Sequence, residues 1–168
     1  MGEHTIGLSP AERFFRARVQ HYNENRYWHY REKVTSPNQS SFSRLLSIFR
    51  LYYIKRCDAF NNASMGTHIG FGARFKSPPI LPHGLYGIIV SHNATIGADC
   101  TIFHQVTIGE GKSGAPVIGD NVMIGAGAKI IGNVHIGSGS KIGANAVVVH
   151  DVPENAVVTA PEGVVRIK

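Results

Sequence analysis

The sequence predicts a mainly β protein: a parallel β-helix of three-sided coils, preceded by a short α-helical region. The first observation is an aliphatic residue at every sixth position, a spacing that neither a 3.6-residue helix nor a simple alternating strand explains. The second is an Asn, Asp or Gly three residues after the aliphatic, at eight of the nine corner positions. These residues accept a left-handed backbone at least cost. The third is composition: 19 glycines beside only 17% charged residues are typical of a glycine-punctuated repeat.

The repeat defines a register for the coils. The periodic aliphatics are Val90, Ile96, Ile102 and Ile108 and, after a ten-residue step, Ile118, Ile124, Ile130, Ile136, Ile142 and Val148. The repeat is thus broken twice, at residues 80–90 and 108–117, and such breaks indicate loops on one edge. The corner positions are Asn93, Asp99, Gln105, Asn121, Gly127, Asn133, Gly139, Asn145 and Asp151. Each unit is predicted to form a short strand and a corner, and three units close one coil. Because coils stack about 4.8 Å apart as parallel strands, Ile124 should lie on Ile142 and Ile130 on Val148.

The same register predicts which glycines matter. Gly127 and Gly139 occupy corner positions that need positive φ, so a side chain there should strain the backbone. Gly137 directly follows an aliphatic and is expected to be less sensitive.

Residues 1–60 are predicted to be helical, and residues 61–168 to form the β-helix. Ser9, Pro10 and Glu12 form a good helix start, so the first helix is expected from Pro10 to about Val34. A second helix, from Ser41 to about Cys57, carries both apolar and basic residues. We expect its apolar residues to be buried against the protein or a neighbouring subunit; contact with a membrane surface is the alternative.

Chain length, net charge and the number of cysteines narrow the possible classes of function. The 168 residues suffice for one core, and the net charge of +6 permits a phosphorylated ligand, a membrane surface or nucleic acid. RNA-type aromatic motifs are absent, which disfavours nucleic acid. Two cysteines, no apolar signal segment and no membrane-spanning run predict a cytoplasmic protein without a disulfide framework.

Three segments carry a family resemblance: "PHG…GIIV", "TIFHQVTIG" and "PVIGDNVMIGAGAKIIGNVHIG…KIGANAVVVHDVP". They resemble the hexapeptide-repeat acyltransferases, and among these the serine acetyltransferases and their sugar O-acetyltransferase relatives. The resemblance implies a left-handed β-helix, a homotrimer, and acetyl-CoA bound along the groove between adjacent prisms. The matching small residues are Gly125, Ala126, Gly127 and Ala128, and the candidate phosphate contacts are Lys129, Lys141 and Arg166.

The resemblance also implies that His83, in a His-Gly pair at a break in the repeat, is the general base that deprotonates an acceptor hydroxyl. Histidine suits this task because its pKa lies near neutrality. His104 falls on the next coil, near His83, and is expected to position the acceptor or to replace His83 as base.

The chain departs from the serine enzymes in three respects. His68 stands fifteen residues before His83, where those enzymes have Asp. The loop after "VTIG" contains no histidine, and the helical region is short. These departures favour a sugar or polysaccharide precursor as acceptor, with serine as the alternative. A metal enzyme like the γ-type carbonic anhydrases is disfavoured because the prism lacks two histidines five residues apart, and no metal is expected. A non-catalytic scaffold is the remaining alternative.

Overall fold

The computed structural model of the chain describes residues 9–19 and 21–161. Three helices come first: α1 (Pro10–Val19), α2 (Glu24–Thr35) and α3 (Ser41–Phe60). The prediction of one helix from Pro10 to about Val34 is wrong, because His21 has φ 51° and Asn23 caps a new helix by accepting a hydrogen bond from the Arg26 amide. The predicted start at Pro10 and the second helix are confirmed; Ser40 caps α3 by accepting from the Ser43 amide at 3.2 Å.

Fourteen short strands follow the helices within the described residues. They are β1 (Thr67–His68), β2 (Phe71–Gly72), β3 (Arg74–Phe75), β4 (Ile89–Val90), β5 (Thr95–Ile96), β6 (Thr101–Ile102), β7 (Thr107–Gly109), β8 (Val117–Ile118), β9 (Met123–Ile124), β10 (Lys129–Ile131), β11 (His135–Ile136), β12 (Lys141–Ile142), β13 (Val147–Val148) and β14 (Val157–Val158). Strands β1 and β2 form an antiparallel hairpin. The others form three parallel sheets: face 1 (β4, β7, β10, β13), face 2 (β3, β5, β8, β11) and face 3 (β6, β9, β12, β14).

The three faces enclose the core that the repeat predicts. Every periodic aliphatic from Val90 to Val148 is buried, with at most 4% of its surface exposed. Ile124 pairs with Ile142 and Ile130 with Val148, so the predicted register is confirmed. The parallel stack begins near Ser64, which bridges to Ile89 on the next coil.

The corners are not all alike. Positive φ occurs at the corners between faces 2 and 3 from Asp99 onwards, and at the corners between faces 3 and 1. These residues are Asn62, Gly84, Gly87, Asp99, Gln105, Asn121, Gly127, Gly139, Asn145 and Asn155. Asn93, Asn133 and Asp151 lack it, and all three lie between faces 1 and 2. Polar side chains support this third edge instead: the Asp151 carboxylate accepts from the His135 amide at 2.8 Å. The predicted left-handed corners are therefore confirmed on two edges and wrong on the third.

The expected tolerance at Gly137 is wrong. A Cβ built there would lie 2.6 Å from the Cα of Glu154 on the next coil, and nearer still to the Glu154 amide nitrogen. At Gly139 the φ of +72° confirms the expected strain, but the nearest obstacle is only the side chain of Asn155. Glycine directly after the aliphatic is thus needed for close approach of backbones, and glycine at the corner for its φ.

Helix α2 packs between α3 and the β1–β2 hairpin. The Tyr27 hydroxyl donates to the Asp58 carboxylate at 2.6 Å, and the Arg31 guanidinium donates to the carbonyls of Met65 and Ala73. The same guanidinium lies 4.5 Å from the centre of the Phe75 ring. These buried polar contacts join the helices to the first coil of the solenoid.

Helix α3 packs against the rest of the protein along one side. Its buried residues are Ser47, Ile54, Cys57 and Asp58. Leu51 and Tyr53 are half-buried, and the side chains of the outward face are exposed, including Phe49 at 69% and Tyr52 at 70%. The expected burial against the rest of the chain is therefore wrong for this face; burial against a neighbouring subunit stays a prediction. Among the described residues, no helix is long and apolar enough to cross a membrane.

Candidate active site

The candidate site lies on the edge where face 3 joins face 1, which we call the histidine edge. Its corners are residues 61–63, 81–88, 103–106, 125–128 and 143–146. A ladder of backbone hydrogen bonds joins them: Gly87 N to Asn61 O, Gln105 N to Tyr86 O, Gly127 N to His104 O and Asn145 N to Ala126 O, at 2.8–3.0 Å. This straight ladder holds each corner directly over the preceding one.

One corner of this edge is longer than the others, and it carries His83. The chain turns at Gly84, whose φ is 69° and whose amide donates to the Leu81 carbonyl at 3.0 Å. The His83 ring lies 4.9 Å from the His104 ring, measured between centroids, at an interplanar angle of 87°. The structure therefore brings together the two histidines that the sequence selected.

The two histidines differ in their surroundings. The His83 ring is exposed, with Phe103 at 6.0 Å. The His104 ring is half-buried, and its Nδ1 is buried without a hydrogen-bond partner in the described part of the chain. A neutral imidazole in either place has a lone pair to accept a proton from a hydroxyl group. The pair can therefore serve general acid–base chemistry at the surface of this edge.

No carboxylate orients His83 within residues 9–19 and 21–161, since no hydrogen bond or ion pair to its ring is present there. Asp58 is the last acidic residue before His83, and its Oδ1 is engaged by Tyr27. Burial raises the pKa of Asp58 to about 6. Asn62 occupies the corner that precedes His83 on the same edge. The departure from the serine enzymes that the sequence indicates is thus also present in the fold.

The small residues predicted for the donor form the next corner of the histidine edge. Gly125, Ala126 and Gly127 are half-buried and Ala128 is buried, and the Gly127 amide is bonded to the His104 carbonyl. With no side chain beyond Cβ, this corner leaves space for a thin ligand to run along the edge beside His104.

The three candidate phosphate contacts are placed differently. The Lys129 ammonium donates to the carbonyls of Gln105 and Gly127, at 2.8 and 3.0 Å, and so ties two corners of the histidine edge together. Lys141 is exposed on face 3. Arg166 lies outside the described residues. Sequence reasoning missed the bracing by Lys129, because its partners lie on another coil, and missed the Phe103 ring beside His83.

Neither cysteine is placed as a nucleophile. The Cys100 side chain points into the prism and its thiol donates to the Gly119 carbonyl at 3.2 Å. Burial raises the pKa of both Cys100 and Cys57, which disfavours the reactive thiolate. In the described ranges, no group of three or more His, Cys, Asp or Glu side chains is arranged to hold a metal ion.

The histidine edge is open to solvent. A cleft of about 1000 Å³ does occur, but α2 and residues 70–78 line it and neither His83 nor His104 does. A site on an open edge leaves one side of a bound ligand uncovered by this chain.

Comparison with known proteins agrees with the fold. Residues 115–150 match the family described as "Bacterial transferase hexapeptide (six repeats)". The chain is 43% identical over 108 residues to serine acetyltransferase of Mycobacterium tuberculosis, covering 62% of this chain and 47% of that protein. It is 38% identical over 110 residues to serine acetyltransferase of Helicobacter pylori, covering 62% of this chain and 63% of that protein.

Solved structures agree. Serine acetyltransferase from Brucella abortus in complex with coenzyme A is 31% identical, with a TM-score of 0.61 over 89% of this chain and 54% of that chain. The β-solenoid and the match over residues 115–150 are both similar to the hexapeptide-repeat transferases. Within that class, the proteins that the chain is similar to are serine acetyltransferases. The chain spans about half the length of the curated relatives that it matches.

Proposed function

We propose that the chain is an acetyl-CoA-dependent O-acetyltransferase whose acceptor is the hydroxyl of serine. One observation carries the proposal: His83 and His104 meet on the edge whose next corner, residues 125–128, is built from small residues. That arrangement supplies a base for a hydroxyl and a path for a thioester on adjacent coils.

The reaction is a direct transfer. His83 removes the hydroxyl proton as the acceptor oxygen attacks the thioester carbonyl carbon, and a tetrahedral intermediate forms. The carbon–sulfur bond then breaks, the acetyl group stays on the acceptor oxygen, and the protonated histidine returns its proton to the thiolate of coenzyme A. His104 lies close enough to position the acceptor. The buried thiol of Cys100 gives no reason to propose an acetyl-enzyme intermediate.

Serine replaces the sugar as the proposed acceptor because the matching proteins are serine acetyltransferases, by sequence and by structure. The preference for a sugar or polysaccharide precursor depended on the missing Asp and His and finds no support among those matches. The coenzyme A that the Brucella abortus protein binds supports acetyl-CoA as the donor here.

We also propose that the chain assembles as a homotrimer, because the histidine edge alone leaves a ligand uncovered and a neighbouring prism would close it. Analytical ultracentrifugation of the full chain should give three times the monomer mass. A monomer that retains full acetyltransferase activity would contradict this part of the proposal.

The function is tested by release of the coenzyme A thiol from acetyl-CoA, with L-serine and a panel of free and nucleotide-linked sugars as acceptors. Serine should give the highest kcat/KM. His83→Ala should lower kcat about 10²–10⁴-fold with little change in KM for acetyl-CoA, as loss of a general base does. His104→Ala should raise KM for serine.

His150→Ala is the matched control, because that histidine is also exposed but lies on the edge between faces 1 and 2. Near-full turnover by His83→Ala, with activity lost in His104→Ala, would make His104 the base. Turnover with a sugar alone would restore the sugar as acceptor, and no thiol release with any acceptor would refute transferase activity.

A further inference from the structure

Helix α3 presents an apolar stripe that nothing in the described part of the chain covers. Its outward side chains recur at three- and four-residue intervals, so they share one face of the helix. They are Phe42, Leu45, Ile48, Phe49 and Tyr52, each between 55% and 71% exposed. The opposite face holds the buried residues Ser47, Ile54, Cys57 and Asp58. The helix is therefore amphipathic, and its outward face is the apolar one.

Positive charges flank this stripe. Arg44 and Lys55 are exposed beside the stripe, and Arg56 adds a third exposed positive charge near the end of the helix. The one acidic residue of α3, Asp58, is buried against Tyr27. The outward surface of the helix thus combines aromatic and aliphatic side chains with cations only.

A basic pocket continues this surface at the end of α3. It has a volume of about 480 Å³ and lies between α1, α2 and α3. Arg18, Arg26 and Arg56 line it together with His21, and no acidic side chain lines it among the described residues. A positively charged pocket of this kind suits a phosphate group, because one guanidinium group can donate two parallel hydrogen bonds to phosphate oxygens.

We propose that α3 docks on an anionic membrane surface, with the apolar stripe at the level of the acyl chains and lipid phosphates in the basic pocket. Helices that combine an apolar face with flanking Lys and Arg lie in the membrane interface in this way. A second copy of the helix fits less well, because pairing two such faces would place cations against cations without an acidic partner. The helix does not need to span the bilayer.

The test is co-sedimentation of the full chain with vesicles of phosphatidylcholine, with and without phosphatidylglycerol. The wild-type chain should bind the anionic vesicles, and added salt should weaken binding because it screens the lipid charge. The double variant Leu45→Glu/Phe49→Glu should lower partitioning at least ten-fold. In the double variant Arg44→Gln/Lys55→Gln, the loss of each cation should lower partitioning onto anionic vesicles about five-fold.

Two controls match these variants. Phe71→Glu changes an aromatic ring that is 53% exposed on the β1–β2 hairpin, and Lys33→Gln removes an exposed charge from α2. Both should bind vesicles like the wild-type chain. Circular dichroism should show unchanged helix content in all variants, since each altered side chain is exposed.

The proposal is overturned if the wild-type chain does not bind anionic vesicles or binds neutral vesicles equally well. It is also overturned if Leu45→Glu/Phe49→Glu lowers the sedimentation mass of the protein while vesicle binding persists, because the stripe would then be an interface between copies. None of these readouts depends on acetyltransferase activity.

Discussion

Replacing Gly137 with alanine should destabilise the solenoid more than the same change at Gly139, although only Gly139 has a positive φ. The Gly137 Cα faces the backbone of the next coil, and an added Cβ would lie 2.6 Å from the Cα of Glu154. The two coils must separate to accept it, yet the Gly137 amide is bonded to the Val152 carbonyl at 2.8 Å. Overpacking of this kind costs about 1–3 kcal/mol, and here backbone, not a mobile side chain, must move.

At Gly139, alanine destabilises the folded chain for a different reason. The left-handed conformation costs a residue with Cβ about 1–2 kcal/mol, offset by about 0.4–1 kcal/mol because alanine also restricts the unfolded chain. The neighbouring Asn155 side chain can rotate away. The net loss is therefore about 1 kcal/mol. Gly139→Asn is the matched control and should be nearly neutral, because Asn121 and Asn145 already adopt this conformation at equivalent corners.

Chemical denaturation at one protein concentration measures all three variants, since assembly makes stability concentration-dependent. In a thermal melt, a chain of this size should lose about 2–4 °C per kcal/mol. If Gly137→Ala melts like the wild-type chain while Gly139→Ala loses several degrees, the coils are not packed as closely as the structure has them, and the reasoning fails.

Three further outcomes are expected. Burial raises the pKa of Asp58 from 3.8 to about 6, so the folded chain binds this proton more tightly than the unfolded chain. The resulting contribution to the free energy of unfolding is present below pH 3.8 and is lost as pH rises through about 6. Denaturation of the wild-type chain should show this decrease of stability with pH, and Asp58→Asn should remove it. Lys129→Met should cost about 1 kcal/mol of stability with little change in KM for acetyl-CoA, whereas Lys141→Met should raise that KM at unchanged stability. Cys100→Ala should keep its kcat in the thiol-release assay, because the thiol is buried.

The core of the solenoid was predictable because its period is a direct consequence of stacking. Ile118 pairs with Ile136, and Ile124 with Ile142, eighteen residues apart in each case, so inward side chains repeat in the sequence itself. The break between α1 and α2 was not predictable in this way. Residues 20–23 are Gln, His, Tyr and Asn and contain no Pro or Gly to mark a break; the cap at Asn23 and the φ of His21 separate the two helices. Local caps of this kind compete with helix propensity and leave little trace in composition.

The exposed stripe of α3 shows a second limit. Apolar residues at helical spacing predict burial, and the sequence contains no signal that distinguishes a face packed on the chain from one packed on something else. Helix α2 covers one side of α3: Tyr27 bonds to Asp58, and the Tyr30 ring lies 5.4 Å from the Tyr53 ring. The outward side of the same helix, which carries Phe42, Phe49 and Tyr52, is left exposed.

The position of the histidines was predictable for the same reason as the core. A solenoid accepts extra residues only at its corners, because its strands must stay in register with the coils on both sides. The two breaks in the repeat, residues 80–90 and 108–117, therefore had to be loops on an edge, and the first of them places His83 beside His104. The partners of these side chains were not predictable. Each insertion changes the spacing between stacked corners, so Ile108 lies on Ile130, twenty-two residues later, and the bracing of Gln105 by Lys129 follows from that altered spacing. The repeat thus reveals the edges on which extra residues lie, whereas the orientation of their side chains is set by contacts between coils that the repeat does not show.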